Sequence, residues 1–423
     1  MLGLGQIGSG VWSLVLKKKR FFETEIGVCI EIAKIAVKHR SKNRPAHPPK
    51  SLITTDAMAV IRDPSIDVVI ELIGGTRDAK RFVLEALRHG KHVVTANKAL
   101  LAEHGDEIFE LANKMQRWVL FEASVGGGIP VVKALREGLV ANRIDSIHSI
   151  INGTSNYILT RMTEEKMDFN EALRQAQKKG YAEADPRLDI EGIDAAHKLA
   201  ILVRFAFGGK VNFEDIYHEG ISRIGREDIA FAEEFGYRIK LLAIAKKDSG
   251  GIEARVQPTL LPKPHILANV NESFNAILMR GDEVGDVLLY GRGAGPQPTA
   301  SAVMSDLVDI ALRQSGRFDD TIAMRAIQRR LKIKNISSIL SRYYMRFHII
   351  DRPGVLAKIS HVLGRRSISI SDVIQKERSA GSVVPLILLT HDAHENNVRA
   401  AIRAIDHLNI IRGKSQVIRI EGR

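Results

Sequence analysis

Gly3-Leu4-Gly5-Gln6-Ile7-Gly8 runs directly into Val11-Trp12-Ser13-Leu14. The spacing is G-x-G-x-x-G, and the apolar residues after it open a helix. Glycines at these places let the backbone turn tightly and approach a pyrophosphate, while the helix N-terminus offers free N–H groups and positive potential. Alone the pattern is weak, and its surroundings strengthen it. Residues 32–37 and 68–73 read as short strands, the second stopped by Gly74-Gly75. Phe82, Val83, Ala86 and Leu87 fall at helical spacing, with Gly90 as the stop. His92-Val93-Val94-Thr95 reads as a strand, residues 100–115 as a helix and residues 117–122 as a further strand. Alternating strands and helices with short loops predict an α/β domain, a parallel sheet covered by helices. Only Met1 and Leu2 stand where the central strand belongs. A strand of usual length would need about eight to ten more residues there, and its loss would expose the edges of its neighbours.

The 423 residues suffice for two or three domains. From about residue 130 helical stretches (130–140, 155–165, 168–179, 190–206) mix with strand-like runs at 144–151 and 252–260, an α+β pattern. A basic connector occupies 316–342, and residues 343–423 read βαββαβ, a ferredoxin-like small domain. The net charge of +13 is uneven: residues 1–50 carry 10 basic and 3 acidic residues and residues 316–346 carry 8 and 2, which accounts for the whole excess. That distribution argues against a surface tiled for nucleic acid. The single cysteine, Cys29, excludes an internal disulfide and a cysteine zinc site. No apolar run reaches spanning length and no signal peptide opens the chain, so a cytoplasmic protein with no membrane partner is expected.

Several motifs carry candidate chemistry. After the second strand stand Lys38-His39-Arg40 rather than the carboxylate that usually binds a ribose 2′-hydroxyl. Cations there favour a 2′-phosphate, hence NADP(H), with NAD(H) as the other possibility. Thr95-Ala96-Asn97-Lys98 follows a strand at the edge where α/β ligands bind, and Lys98 could reach a phosphate, a carboxylate or a reacting oxygen. Glu122-Ala123-Ser124-Val125-Gly126-Gly127-Gly128-Ile129-Pro130 could hold a hard monovalent cation through oxygen ligands or act as a glycine hinge, the hinge being favoured on residues alone. In residues 176–198, Glu183, Asp185, Asp189 and Asp194 crowd a loop and helix start, which suits an ammonium-bearing substrate. Asp194 and Lys198 are i and i+4 and share a helix face. The helix continues apolar through Val203, and a lysine packed against that run gives up hydration, which eases proton transfer near neutral pH. An N-capped helix with a surface ion pair is the plain alternative. Gly291-Arg292-Gly293-Ala294-Gly295-Pro296 precedes a helix and allows close approach to a ligand, or is an ordinary loop.

With these residues in place, the sequence resembles homoserine dehydrogenase. Residues 176–198 fit the family signature A-x3-G-Y-A-x2-D-P-x2-D-I-x-G-x-D-x3-K, and GLGxxGSGV, VVIELIGG, GKHVVTANKALLA, FEASVGGGIPVV, NGTSNYIL and YGRGAGPQPTASAV extend the likeness over roughly residues 2–312. The last 80 or so residues resemble an ACT regulatory domain through Asp351-Arg352-Pro353-Gly354-Val355-Leu356 and Ile368-Ser369-Ile370. The resemblance implies a Rossmann-type dinucleotide-binding domain (1–130, completed by 291–315), a substrate and dimerisation domain (131–290), a connector (316–342) and an ACT domain (343–423). It implies reduction of L-aspartate 4-semialdehyde to L-homoserine with NAD(P)H, on the route to threonine, isoleucine and methionine. By the same resemblance Lys198 is the proton donor and Lys98 assists it. Glu183 and Asp194 hold the substrate ammonium with Asp189 in support. Gly3, Gly5, Gln6, Ile7, Gly8, Lys38, Arg40, Thr95, Lys98, Gly180 and Gly295 contact the cofactor. Glu122 with the carbonyls of Val125, Gly127 and Ile129 forms a sodium site, which reverses the preference for a hinge. The ACT likeness implies a homo-oligomer, dimer or tetramer, and feedback by an amino acid, threonine first, at Asp351, Pro353, Gly354, Val355 and Leu356. A truncated, weakly active homologue that mainly senses an amino acid is the alternative. An aspartate-semialdehyde dehydrogenase would need a cysteine nucleophile, and Cys29 lies far from any suitable motif.

Overall fold

The computed structural model describes residues 1–315, 330–375 and 381–422. The first part of the expected connector, 316–329, therefore lies outside the described residues. Backbone packing divides the chain into two units. One comprises 1–147, 197–214 and 275–331; the other comprises 148–196, 215–274 and 332–423.

The first unit begins with helix α1 (Gln6–Phe21), strands β1 (Ile35–Ala36) and β2 (Ile53–Thr54) and helix α2 (Ala57–Arg62). Strand β3 (Val68–Glu71), helix α3 (Arg77–Arg88), strand β4 (His92–Thr95), helix α4 (Lys98–Lys114) and strand β5 (Val119–Leu120) follow. Pairs β1–β2, β3–β4 and β4–β5 are all parallel. Leu2 fills the gap between β1 and β3 through parallel bridges to Ala36 and Glu71, with Leu2 N–H donating to the Ile70 carbonyl and Leu72 N–H to that of Leu2. A two-residue stub thus occupies the place of the central strand, and the order is that of a Rossmann sheet. Strand β1 is shorter than the expected 32–37 because its partners on both sides offer only short ladders. All of β4 is buried, as a strand covered by helices on both faces requires.

Beyond β5 come helix α5 (Val131–Lys133), strand β6 (Ile144–Ile150), helices α6 (Gly153–Glu164), α7 (Phe169–Lys178), α8 (Arg187–Ile190) and α9 (Ile193–Phe207), strand β7 (Tyr217–His218) and helix α10 (Arg226–Glu234). Strands β8 (Tyr237–Asp248), β9 (Gly251–Pro262), β10 (Phe274–Gly281) and β11 (Gly285–Arg292) precede helix α11 (Pro296–Gln314). The helix expected over 130–140 is only α5 followed by a wider π-turn at residues 134–138. Helix α11 returns to α1: a Cβ on Gly10 would sit 2.9 Å from the Pro296 carbonyl oxygen. Val11 and Val15 share a buried cluster with Val303, Met304 and Leu307.

In the second unit β8 and β9 form a long antiparallel hairpin with Tyr237 opposite Pro262 and Asp248 opposite Gly251. The C-terminal part is strand β12 (Leu340–Ile350), helix α12 (Val355–Gly364), strands β13 (Ile370–Ile374), β14 (Val383–Thr390) and β15 (Ala393–His394), helix α13 (Glu395–Asp406) and strand β16 (Gln416–Ile420). Strand β12 lies antiparallel between β14 and β16, and β13 lies antiparallel on β14, the ferredoxin-like order. Tyr343, Phe347, Ile359, Leu363, Val398 and Ile405 belong to its buried core. The other edge of β16 pairs in parallel with β9, Arg419 opposite Thr259 and Ile420 opposite Leu260, so this domain is continuous with the hairpin.

Candidate functional site

In the first unit the candidate groups gather at the carboxyl edge of the parallel sheet, where open α/β sheets bind ligands. Gly3 has φ +98, and a Cβ there would lie 2.6 Å from the Leu72 carbonyl oxygen, so only glycine passes β3 at this point. Nothing stands within 4 Å of a Cβ on Gly5. No side chain caps the start of α1 and no acidic residue occupies its first turn. An uncapped helix N-terminus beside open space fits a dinucleotide pyrophosphate. Gln6 is exposed and Ile7 half-buried at that end, Gly8 is buried, and Lys38 and Arg40 are exposed beyond β1.

The register places Glu71 opposite Thr95. Thr95 Oγ1 donates to Glu71 Oε2 at 2.6 Å and accepts the Asn97 N–H at 3.0 Å. Glu71 also accepts the Ile73 N–H at 2.9 Å and the Gly74 N–H at 3.3 Å. Burial pushes this carboxyl above its ordinary range despite those donors. Asn97 Oδ1 caps α4 by accepting the Leu100 N–H, and Asn97 Nδ2 donates to the Gly75 carbonyl. The buried Glu71–Thr95–Asn97 chain therefore fixes the loop that presents Lys98 at the first residue of α4. The Thr95 hydroxyl is spent inside the protein, which leaves its main chain for ligand contact. Glu71 had a sequence signal, a carboxylate closing an apolar run before Gly74-Gly75.

The glycine-rich turn after β5 packs against the loop before α11. Gly127 has φ +58 and its Cβ would be 2.5 Å from the Gly293 carbonyl; the Gly128 N–H donates to the Arg292 carbonyl at 3.2 Å. Gly295, φ +113, stands at the N-cap of α11. Asn275, buried against Gly293, has no hydrogen-bond partner for its amide among the described residues. The two oxygens of Glu122 accept the N–H groups of Val132 and Lys133 at 2.8 Å each, so the carboxylate serves as the N-terminal partner of α5. Its main-chain N–H donates to Asp306 at 2.9 Å. Burial pushes both the Glu122 and Asp306 carboxyls up. The Ile129 carbonyl accepts the Val131 N–H, while those of Val125 and Gly127 accept no hydrogen bond among the described residues. Main-chain oxygens of this kind suit a hard monovalent cation. Among the described residues, no cluster of His, Cys, Asp or Glu side chains is arranged as a metal site.

In the second unit Asn152 organises the acidic cluster. Its Nδ2 donates to Asp189 Oδ1 at 2.8 Å and to Asp194 Oδ2 at 2.9 Å, and its Oδ1 caps α6 by accepting the Ser155 N–H at 2.8 Å. Ser155 Oγ donates to the Asp189 carbonyl at 2.9 Å. Asp194 is buried and Asp189 half-buried. Glu183 is exposed, and its carbonyl accepts from Gln177. Asp185 departs from the crowd: it is exposed and bound to Arg187 at 2.8 and 2.5 Å, which holds its carboxyl down at about 2. Gly180, φ +76, ends α7. Helix α9 carries Asp194 and Lys198 one turn apart, Lys198 is 8% exposed, and residues 199–203 behind it are buried. In the first unit His197 stacks on Phe213 at 4.3 Å.

The loop after β12 leads into α12. Gly354 has φ +84 and caps α12, Leu356 is exposed, and Gln375 Nε2 donates to Asp351 at 3.3 Å.

Comparison with known proteins agrees with this architecture. Three families match in order: "Homoserine dehydrogenase, NAD binding domain" over residues 3–122, "Homoserine dehydrogenase" over 130–308 and "ACT domain" over 343–407. A homoserine dehydrogenase of Pseudomonas aeruginosa is 45% identical over 424 aligned residues, 99% of this chain and 97% of that protein. The crystal structure of one from Thiobacillus denitrificans aligns with a TM-score of 0.92 at 46% identity, over 99% of this chain and 97% of that one. A hyperthermophilic archaeal homoserine dehydrogenase solved in complex with NADPH aligns with a TM-score of 0.61 at 25% identity, over 75% of this chain and 97% of that one. The chain belongs to the homoserine dehydrogenase family and is an NAD(P)-dependent oxidoreductase carrying a C-terminal ACT domain.

Proposed function

We propose that the enzyme reduces L-aspartate 4-semialdehyde to L-homoserine with NADPH preferred over NADH, in the biosynthesis of threonine, isoleucine and methionine. The observation that carries the residue roles is α9, which holds buried Asp194 and Lys198 one turn apart and ties Asp194 to Asp189 through Asn152. Residues 1–130 with 291–315 bind the dinucleotide, 131–290 the substrate, and 343–423 an effector.

Gly3, Gly5, Gln6, Ile7 and Gly8 receive the pyrophosphate at the start of α1, with Thr95, Lys98, Gly180 and Gly295 as further cofactor contacts. Lys38 and Arg40 take the 2′-phosphate; Lys38, His39 and Arg40 leave no carboxylate there to oppose it. Bound NADPH supplies the hydride. Glu183 and Asp194, with Asp189 behind, hold the substrate ammonium and so fix the far end of a short molecule. Lys198 stabilises the negative charge that develops on the carbonyl oxygen and delivers a proton to it from Nζ, with Lys98 assisting. Carboxylates suit the ammonium of the substrate, and a lysine suits the oxygen that becomes an alkoxide.

A sodium ion held by Glu122 with the carbonyls of Val125, Gly127 and Ile129 would brace the glycine-rich turn. The NADPH carried by the archaeal relative supports the cofactor preference. Threonine is the proposed effector at Asp351, Pro353, Gly354, Val355 and Leu356, and a cytoplasmic homo-oligomer the proposed form. Among the described residues no helix is long and apolar enough to cross a membrane.

The test is absorbance at 340 nm with aspartate semialdehyde and either NADPH or NADH. NADPH is expected to give the higher kcat/KM, and Lys38→Ala/Arg40→Ala to remove that advantage without slowing the NADH reaction. Equal use of both cofactors by the parent enzyme would remove the 2′-phosphate assignment.

A further inference from the structure

The turn that carries Asp189 is held on one side by Asn152 and Ser155. Its other side rests on residues 219–221. The Ile221 N–H donates to the Ile190 carbonyl at 2.8 Å. A Cβ on Gly220 would overlap that same carbonyl and sit 2.5 Å from Glu191 Cα. On the opposite face a Cβ on Gly192, φ +79, would lie 3.2 Å from the Glu219 carbonyl oxygen. Backbone meets backbone with no side chain between, so residues 219–221 cannot shift without moving residues 190–192.

Glu219 also faces the C-terminal domain. Its main-chain N–H donates to the Val256 carbonyl of β9 at 2.8 Å. Its carboxylate accepts from Arg419 Nη1 at 3.0 Å and from the Tyr217 hydroxyl at 2.9 Å. Arg419 belongs to β16, the strand that pairs with β12 on one edge and with β9 on the other. The rest of its guanidinium binds Glu395 at the start of α13, and Glu395 also accepts from the Tyr343 hydroxyl and Arg399 Nε. The Tyr217 ring lies against Arg399 and Arg419, with centroid distances of 5.3 and 5.5 Å.

We infer that Glu219 is a positioning residue for the substrate-binding carboxylates, and that the Arg419–Glu219 contact couples the ACT domain to the turn carrying Asp189 and leading into Asp194. The inference rests on the reading of Glu183, Asp189 and Asp194 as the ammonium-binding set. Charge-assisted hydrogen bonds fix the direction of the Glu219 side chain, and its backbone passes that constraint to Ile190–Gly192. Linkage makes the coupling reciprocal: filling the amino-acid site must constrain β16, and a displaced β16 must weaken that site. A chain of contacts is not itself proof of coupling, so the test measures both directions.

Homoserine oxidation with saturating NADP+ is measured for the full-length enzyme and for Glu219→Ala, Glu219→Gln and Glu183→Gln. The Glu219 side chain is 30% exposed and Arg419 keeps Glu395, so Glu219→Ala strands no buried charge. It is expected to raise KM for homoserine by roughly 5- to 150-fold, the range typical of site–site coupling, with KM for NADP+ unchanged and a melting temperature lowered by the loss of two hydrogen bonds to the carboxylate. Glu219→Gln still accepts from Arg419 and Tyr217 and is expected to behave like the parent. Amide hydrogen exchange reads the reverse direction: homoserine with NADP+ should slow exchange in residues 416–421 of the parent but not of Glu219→Ala. If Glu183→Gln raises KM while Glu219→Ala does not, the coupling is wrong and the substrate reading stands. If Glu183→Gln leaves KM unchanged, the substrate reading fails and the inference with it. Equal loss in Glu219→Gln and Glu219→Ala, or exchange that ignores homoserine, also overturns it.

Discussion

Asn152 performs two separable tasks, and removing its amide should expose both. Its Oδ1 caps α6 and its Nδ2 bridges Asp189 and Asp194, all at 2.8–2.9 Å in a residue only 4% exposed. Loss of an N-cap costs about 1 kcal/mol. A hydrogen bond to a charged group contributes about 1.5–3 kcal/mol, so the two to Asp189 and Asp194 far outweigh the cap. Asn152→Ala should therefore lower the melting temperature by several degrees. It should raise KM for homoserine by roughly 10- to 100-fold, about 1.4–2.8 kcal/mol of binding, because the carboxylates lose the donor that aims them. KM for the dinucleotide should not change. Asn152→Ser keeps a cap oxygen but has no amide, so it should recover only the cap's share of stability, about 1 kcal/mol, and none of the homoserine binding. Asn152→Asp keeps the cap and sets a third carboxylate against the other two, so its KM should rise further. Initial-rate kinetics of homoserine oxidation beside thermal unfolding of the four proteins separate these effects. Recovery of both properties in Asn152→Ser, or an unchanged KM in Asn152→Ala, would show that the Asn152 amide does not aim the carboxylates.

Two further outcomes are expected. Burial alone would raise the Glu421 carboxyl, but Arg255 and Lys246 outweigh burial and hold it down at about 2. A carboxyl lowered on folding stabilises the protein above its unfolded value near 4.5, and that gain disappears as pH falls toward 2. Glu421→Gln should thus cost about 3 kcal/mol at pH 7 by this linkage, and the difference from the parent in urea unfolding should shrink between pH 4.5 and pH 2. A gap that persists unchanged at low pH would contradict the assignment. Gly127→Ala places a methyl 2.5 Å from the Gly293 carbonyl at a φ of +58. It should destabilise the protein by about 1–3 kcal/mol from backbone strain alone and raise KM for the dinucleotide, and a variant with parental Tm and KM would show that the turn has room.

The Rossmann pattern is legible because each element carries its own signal: β3 is an apolar run closed by Glu71, α3 has helical spacing and Gly90 stops it. The acidic cluster was legible as a cluster, but its geometry was not. Asp185 looks equivalent to Asp189 in sequence, yet it pairs with Arg187 two residues on, while Asp189 turns to Asn152. Glu71 and Thr95 meet only because the parallel register sets them opposite, and Asn152 finds its carboxylates some forty residues away; no local pattern encodes either meeting. Strand β8 escaped a pattern-based reading because residues 239–245 are buried on both faces and so show no alternation. The charge of the second basic window has structural uses that spacing does not reveal: Lys334 pairs with Asp248 and Arg346 with Asp228. In the first window Lys18, Lys19 and Arg20 close the last turn of α1, where cations oppose the helix dipole.

The proposed proton donor to the reacting oxygen is Lys198, on the same helix as Asp194. The test is single-turnover oxidation of NADPH with aspartate semialdehyde, followed at 340 nm for the parent and for Lys198→Ala. Rapid oxidation by the parent and a loss of roughly 10²- to 10⁴-fold in Lys198→Ala are expected, with NADPH binding and melting temperature unchanged. A Lys198→Ala enzyme that turns over like the parent would contradict that role.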